Sequence, residues 1–514
     1  MGKQMTVLKA NTGALRDRSK SWRTIDWRKA HKTVKRLQMR IAKATKEGRH
    51  GIVRALQWLL THSFYAKALA VKRVTSNKGK NTPGVDGTLW KGAKVKMQSI
   101  CSLRQHGYKA KPLRRMYLRK KSGKLRPLSI PTMYDRAMQA LYKLALTPIA
   151  ETGADRNSYG FREGRCCADA VAASFNALSK PNSATWVLEA DISGCFDNIS
   201  KTWLEDNIPM EKRILKQWLN CGYVENGITY PSRKGTPQGG IISPTLSNMT
   251  LDGLEQVIYK AAPWRSRVNF IRYADDFVVT AKSKQVLEQH IIPAITAFLD
   301  KRGLKLSTDK TRITFIRNGF DFLGQTFRKY GNTLRITPSA EGVRSLKIKV
   351  GKIIRKYVSA PMKILIKKLN QTLQGWANYH RHVVASDAFK SVDNFVYEHL
   401  WKMLKKRHPN KSKGWLINKY WYASGKKWVF SVKHTCKGKS KIYQVIRASS
   451  IGIKRHIKIK ADANPYFPEN VIYFIRRKKK ESCFMSKLSA REIRKANKEV
   501  ISPGCFTKTA LTNA

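Results

Sequence analysis

The stretch FIRYADDFVV, residues 270–279, sets two adjacent carboxylates, Asp275 and Asp276, between two short runs of apolar, β-forming residues. Flanks of that kind predict buried strands, and an Asp pair between them predicts a tight turn, so residues 267–282 read as a β-hairpin. A third acid, Asp191, ends another apolar run, WVLEAD (186–191), and Gly194 follows it in a second turn. Adjacent carboxylates repel one another unless a cation sits between them. A fold that brings these strand ends together gathers three carboxylates, and Mg²⁺, a hard ion that prefers oxygen ligands and keeps waters, suits such a set. Two such ions can activate a hydroxyl nucleophile and stabilise a leaving pyrophosphate, which is in-line phosphoryl transfer. Asp197, in GCFDN, reads as a structural cap.

Those acids are scarce. The chain of 514 residues carries 101 Lys+Arg against 33 Asp+Glu, a formal charge of +68, with 42% hydrophobic residues. It can build real cores, and its self-repulsion calls for a polyanion, which points to a long bound nucleic acid. No apolar run approaches the ~20 residues needed to span a bilayer, so no membrane partner is expected. Eight cysteines without a C-x-x-C pair argue against a disulfide framework or zinc ribbon and for a reducing, cytoplasmic setting. The first residues lack the apolar core of a signal peptide.

Residues 1–60 hold 16 Lys+Arg against three acids, and Val34, Leu37, Ile41, Val53, Leu56 and Leu60 recur at broadly helical intervals. Residues 76–87 form a Gly/Pro/Asn loop, residues 114–131 two strands about a turn at Ser122-Gly123, and a helix begins near Thr132. The helix at 283–303 is expected to stop at Gly303 and to kink at Pro293. Strands and helices mix without strict βαβ alternation, so the fold class is α+β. From about residue 339 basic amphipathic helices follow, then a tail, 430–514, with 20 Lys+Arg against five acids.

YADD in a hairpin, with DISGCFD (191–197) upstream, resembles the palm of reverse transcriptases. The ordered blocks TPGVDG (82–87), RKKSGKLRPLSIPT (119–132), NSYGFREGR (157–165), GTPQGGIISPTLSN (235–248), GLKLSTDKT (303–311), FDFLG (320–324) and GWANYH (375–380) make the chain similar to bacterial group II intron-encoded proteins, which are reverse transcriptases and maturases. The resemblance implies a right-hand polymerase of fingers, palm and thumb: a basic helical extension over 1–75, fingers and palm over 76–335, a thumb or maturase domain X over 336–410, and a DNA-binding region over 411–514. It implies that Asp191, Asp275 and Asp276 bind two Mg²⁺ ions, with Mn²⁺ as the substitute. Phe196, five residues past Asp191, falls at an aromatic steric gate against the ribonucleotide 2′-hydroxyl. Lys120 and Arg126 fall where the incoming dNTP triphosphate is gripped, with Lys121 or Lys124 as alternatives to Lys120, and Gln238 falls in the nucleotide pocket. Phe322 and Gly324 fall at the primer grip, and Tyr273 beneath the site.

Arg114, Lys310, Arg476, Arg477, Lys478, Lys479 and Lys480 are expected on nucleic acid, the basic strands and the run 476–480 tracking phosphates. Trp376, Tyr379 and His380 read as helix core. The implied partners are the intron RNA, target DNA and a DNA primer, in splicing and target-primed retrohoming. Many relatives carry a terminal endonuclease domain with paired cysteines and histidines; Cys505 has no such partner, and second-strand cleavage is not expected. A splicing cofactor without polymerase activity and a domesticated reverse transcriptase in phage defence or CRISPR adaptation are the alternatives left open.

Overall fold

A computed structural model of the chain describes residues 22–119, 123, 125–232, 234–421, 429–436 and 439–481. The N-terminal periodicity becomes three helices, α1 (Trp27–Lys46), α2 (His50–His62) and α3 (Phe64–Ser76). Asp26 opens α1 by accepting from the amides of Arg28 and Lys29, which satisfies two of its orphan donors. The helices pack on α4 (Met133–Gly153), which Thr132 caps through its side chain. Their apolar stripes join one core that continues through Leu188, Phe270 and Leu304, so the extension and the central domain share an interior.

Two strands, β1 (Leu113–Arg119) and β2 (Leu125–Ile130), pair antiparallel, and β4 (Tyr223–Glu225) with β5 (Ile228–Tyr230) extend them into a sheet of order β2-β1-β4-β5. The central sheet has order β6-β7-β3-β8, built from β3 (Trp186–Asp191), β6 (Asn269–Tyr273), β7 (Asp276–Ala281) and β8 (Arg312–Phe315), all antiparallel. Val187, Leu188, Ile271, Val278 and Val279 are all buried, which is why these strands read as near-continuous apolar runs. Helices α5 (Cys167–Leu178), α6 (Ser243–Leu251) and α7 (Leu254–Ala261) pack around this sheet. A smaller sheet follows, with order β11-β10-β9, from β9 (Phe320–Phe322), β10 (Gln325–Tyr330) and β11 (Thr333–Pro338).

Three helices, α8 (Ala340–Lys356), α9 (Met362–His380) and α10 (Ser386–Arg407), bury Val350, Leu369 and Leu400 against one another. The same core takes in Leu416, Tyr420, Phe430 and Val445, so packing runs past residue 410 without a break. The last strands, β12 (Ser431–Cys436) and β13 (Lys439–Gln444), form a hairpin, and α11 (Val471–Glu481) closes the described chain.

Two local expectations are altered. Residues 286–291 form a π-helical turn immediately before Pro293, which sits at the start of the next helix, Ile292–Asp300. Proline lacks an amide donor, so the chain rewinds ahead of it instead of kinking mid-helix. The basic stretch 453–460 forms no strand. Its Ile459 is buried and the Ile459 amide donates to Asp169 Oδ1 at the start of α5, so this segment runs over the sheet's helical cover without a strand partner of its own.

Candidate catalytic site

Register places the acids together. In the β3–β7 ladder Asp191 is the Cα partner of Asp276, and in the β6–β7 hairpin Tyr273 is the partner of Asp276. Asp275 occupies the turn between, next to Ala274, which takes a left-handed conformation at φ 62. Burial raises the Asp275 carboxyl above its ordinary range, and the Asp191 charge pushes it further. Asp276 is raised to about 6, first by burial and then by Asp191 and Asp275. Asp191 and Asp275 are half-buried and Asp276 is exposed at the strand end, and the two hairpin carboxyls resist ionising beside the Asp191 charge. Their donor atoms are all oxygens, and the cluster lacks enough positive charge of its own, which fits a hard divalent cation.

Lys310 supplies part of that charge. Its ammonium pairs with Asp191 Oδ2. Asp191 also accepts from the Ser307 amide through its carbonyl at 2.8 Å, and the Thr311 amide returns to Ser307 at 2.9 Å, so the loop bearing Lys310 is tied to the end of β3. Lys310, expected on nucleic acid, therefore lies against the acidic cluster.

Gln238 links two neighbouring segments. Its Nε2 donates to Asp197 Oδ2 at 2.6 Å, and its Oε1 accepts from Arg126 Nε at 2.9 Å. The Ser129 amide donates to its carbonyl at 2.7 Å, which fixes the loop against β2. Gly239 is at φ 116, and a Cβ there would lie 2.6 Å from the Ser129 carbonyl, so only glycine permits the approach. Asp197 is thus a partner of Gln238. Phe196 is half-buried in the single helical turn Cys195–Asn198, and its carbonyl accepts from Thr236 at 2.6 Å. Arg126 is exposed at the mouth of this chain. Lys120, Lys121 and Lys124 lie outside the described residues.

Phe322 is 4% exposed and belongs to the second core, whereas Leu323 and Gly324 both have positive φ and form the turn into β10. Tyr379 Oη donates to the Leu323 carbonyl at 2.8 Å, and the Ser339 amide to the Gly324 carbonyl at 3.0 Å, so α9 and the start of α8 hold this turn. His380 is buried and bonds to Gln325, with its pKa lowered to about 4 by burial and by His382. Trp376 packs on Phe389 at 5.5 Å between ring centroids, in keeping with a core cluster. Tyr273 packs against the second core.

The remaining basic candidates divide. Arg114 is half-buried in β1 and Arg476 is exposed. Arg477, expected on phosphate, is buried instead: it donates to Asp169 Oδ1 at 2.8 Å and to the Ile457 carbonyl at 2.6 Å. Asp169, fully buried at the start of α5, also accepts from His456 Nε2 at 2.9 Å, the Ile459 amide at 2.7 Å and the Cys166 amide at 3.0 Å. A helical phase explains the difference, since successive residues on α11 point about 100° apart at 3.6 residues per turn, enough to bury Arg477 and leave Arg476 in solvent. Lys478, Lys479 and Lys480 lie in α11, with side chains outside the described set.

Two residues escaped the sequence reading. Gly160 backs directly onto the turn that carries Asp275, where a Cβ would sit 2.3 Å from the Ala274 amide nitrogen. Arg272 is fully buried and pairs with Asp252 at 2.6 Å and Asp155 at 3.7 Å. The backbone of Arg272 also ties the hairpin to the segment that carries Gly160: its amide donates to the Asn157 carbonyl and its carbonyl accepts from the Tyr159 amide, each at 2.9 Å. No local signal marks Gly160, one of two glycines in the turn-rich stretch NSYGFREGR; an arginine inside a strand of apolar residues was the signal for Arg272.

Three family descriptions match the chain: an N-terminal domain of reverse transcriptase over residues 22–103, reverse transcriptase (RNA-dependent DNA polymerase) over 118–327, and a group II intron, maturase-specific domain over 343–421. Protein YkfC of Escherichia coli (strain K12) is 30% identical over 299 residues, 50% of this chain and 78% of that protein. The group II intron-encoded protein LtrA of Lactococcus lactis subsp. cremoris is 29% identical over 358 residues, 56% of this chain and 59% of its own length. Maturase-like protein 1 of Euglena longa is 25% identical over 74% of this chain and 82% of that protein.

Proposed function

The chain belongs to the group II intron-encoded reverse transcriptases and maturases, and on that premise we propose that it extends a DNA primer along an RNA template and serves as splicing cofactor and retrohoming enzyme for its parent intron RNA. The observation that carries the reading is the pairing of Asp191 with Asp276 across the central sheet, with Asp275 beside them in the hairpin turn.

Asp191, Asp275 and Asp276 would hold the divalent ions that reverse transcriptase domains use, Mg²⁺ in two copies with Mn²⁺ as the substitute. Ions held by these carboxylates would supply Lewis acidity toward a primer 3′-hydroxyl and positive charge beside a departing pyrophosphate. The chain's own residues do the positioning. The ladder from β3 to β7 sets the carboxylates, and Gly160 and Arg272 brace the turn from behind. Arg126, held by Gln238, presents a planar guanidinium to the triphosphate, while Lys120 supplies an ammonium. Phe196, fixed by the Thr236 bond to its carbonyl, closes the space beside the sugar and rejects a 2′-hydroxyl. The turn at Leu323 and Gly324, clamped by Tyr379, holds the primer end. Residues 336–410 form the thumb, residues 1–75 the basic extension, and residues 411–514 the region facing target DNA.

Primer extension on an RNA template with Mg²⁺ and dNTPs tests this. The wild-type chain yields full-length DNA and the Asp275→Ala, Asp276→Ala double variant yields none. Equal product from both, or none from either, removes the polymerase reading.

A further inference from the structure

Trp264 is 88% exposed, the most exposed large apolar side chain among the described residues. It sits in the seven-residue link APWRSRV (262–268) between α7 and β6. A single exposed tryptophan is ordinary on a protein surface. Its mounting is less so. Arg265 and Arg267 both take left-handed backbone, at φ 56 and φ 54, a conformation unfavourable for a non-glycine residue that persists only where surrounding structure enforces it.

The enforcement is visible. Ser266, between the two arginines, is 6% exposed. Its amide donates to the Pro263 carbonyl at 3.2 Å and its carbonyl accepts from the Lys282 amide at 2.8 Å. The Arg267 carbonyl accepts from Asn269 Nδ2 at 3.3 Å and Thr280 Oγ1 at 3.4 Å. The link is thus pinned to the far end of the β6–β7 hairpin, and the pinning turns Trp264, Arg265 and Arg267 outward. Both guanidinium-bearing residues are exposed, and neither pairs with a carboxylate among the described residues. The bond to Ser266 brings Lys282, also exposed, alongside them.

We propose that residues 262–268 form a stacking platform for one unpaired nucleotide of the RNA partner, Trp264 taking the base and Arg265 and Arg267 the flanking phosphates. This rests on the RNA-binding reading of the family and adds a site to it. An indole offers a flat π face to any base, and arginine forks bind phosphate bidentately. A base inside a duplex is already stacked on both faces, so the occupant is a bulged or looped nucleotide. The site is remote from the chemistry: the five residues of β6 place it ~17 Å from the catalytic turn at about 3.4 Å per residue. It is therefore an RNA-anchoring point away from the reacting atoms.

The test uses the full chain and a short RNA hairpin carrying one bulged 2-aminopurine, beside the same hairpin without the bulge. Wild type quenches the probe's fluorescence and binds the bulged RNA tightly. Trp264→Ala loses the quench and roughly 5- to 100-fold in affinity for the bulged RNA, with no difference on the unbulged one. Trp264→Phe keeps most of both. Extension of oligo(dT) on poly(rA) by Trp264→Ala stays at the wild-type rate, which separates this site from the polymerase: failure of wild type to extend would indict the polymerase reading and leave the affinity comparison standing. Affinity of Trp264→Ala within twofold of wild type on the bulged RNA overturns the proposal. So does a lower oligomeric mass for Trp264→Ala by light scattering, which would make the platform a protein contact.

Discussion

Gly160→Ala is the sharpest perturbation of the β6–β7 hairpin and its proposed catalytic acids, because it adds one methyl group behind the turn rather than at the acids themselves. The added Cβ would lie 2.3 Å from the Ala274 amide nitrogen, 2.9 Å from the Tyr273 carbonyl carbon and 3.0 Å from the Ala274 Cα. All three are backbone atoms, so no rotamer change relieves the clash. Ordinary contact begins at 3.4 Å, so the turn or the 157–160 segment must retreat by about 1.1 Å. Gly160 itself is not in left-handed backbone, so the effect is steric alone. Ala274 precedes Asp275, and a displacement of ~1 Å in a catalytic group costs on the order of 10²-fold in rate. Overpacking adds about 1–3 kcal/mol of destabilisation. The assay is single-turnover primer extension on poly(rA)–oligo(dT), with RNA affinity by filter binding and stability by urea titration on the same preparations. The expected result is a rate loss near 100-fold, RNA affinity within twofold, and a modestly lower urea midpoint. Gly51→Ala is the control: its Cβ meets nothing within 4 Å inside helix α2, so it leaves the rate unchanged. A Gly160→Ala enzyme extending within threefold of wild type would refute the claim that this glycine backs the catalytic turn.

Arg272→Met strands Asp252 and Asp155 beneath the same hairpin, and loss of a buried partner costs ~3–5 kcal/mol, read as a lower urea midpoint; an unchanged midpoint contradicts the buried pair. Phe196→Val opens the space beside the sugar and raises ribonucleotide incorporation on the order of tenfold, read as the rNTP/dNTP ratio of kcat/KM, and an unchanged ratio removes the gate. Lys310→Met takes a competing cation off Asp191, so Mn²⁺, followed by electron paramagnetic resonance without nucleic acid, binds a few-fold tighter; weaker binding would reverse that role. The pKa of His380 is lowered on folding, from 6.5 to about 4, so the unfolded chain takes up more protons across that window and stability falls as pH drops from about 6.5 towards 4. His380→Gln flattens that fall in a thermal melt relative to wild type, and an equal slope in both would place the proton uptake elsewhere.

The hairpin and its acids were legible because period, flank and turn chemistry all agree within a dozen residues. β3, β6 and β7 begin and end where the apolar runs do, and Thr132 opens α4 as its residue type suggests. Contacts between distant segments were not legible. Nothing local says that Gly160 meets Ala274, or that Lys310 reaches Asp191 from 119 positions away. Arg477 shows the limit most plainly. In a run of five basic residues every member looks alike, yet the helix turns one of them into a buried ion pair and leaves its neighbour Arg476 in solvent. Charge runs report composition, and only the helix phase within a tertiary context assigns each side chain its face. The extension and the tail were hidden as structural partners for a similar reason, since their apolar stripes name no target.

Asp169 has a bearing on how such proteins can be rearranged. This carboxylate belongs to helix α5 beside the palm, yet His456, the Ile459 amide and Arg477 all come from the far end of the chain. Cutting the chain ahead of His456 removes these partners together with the residues that cover the carboxylate. A graft that covers Asp169 again without replacing them leaves an uncompensated buried charge, at ~3–5 kcal/mol of the ~5–15 kcal/mol that a folded domain has in hand. The tail is therefore no detachable cassette. Grafting a tail from a relative to redirect insertion would have to bring a matching histidine and arginine, or change Asp169 in the recipient at the same time.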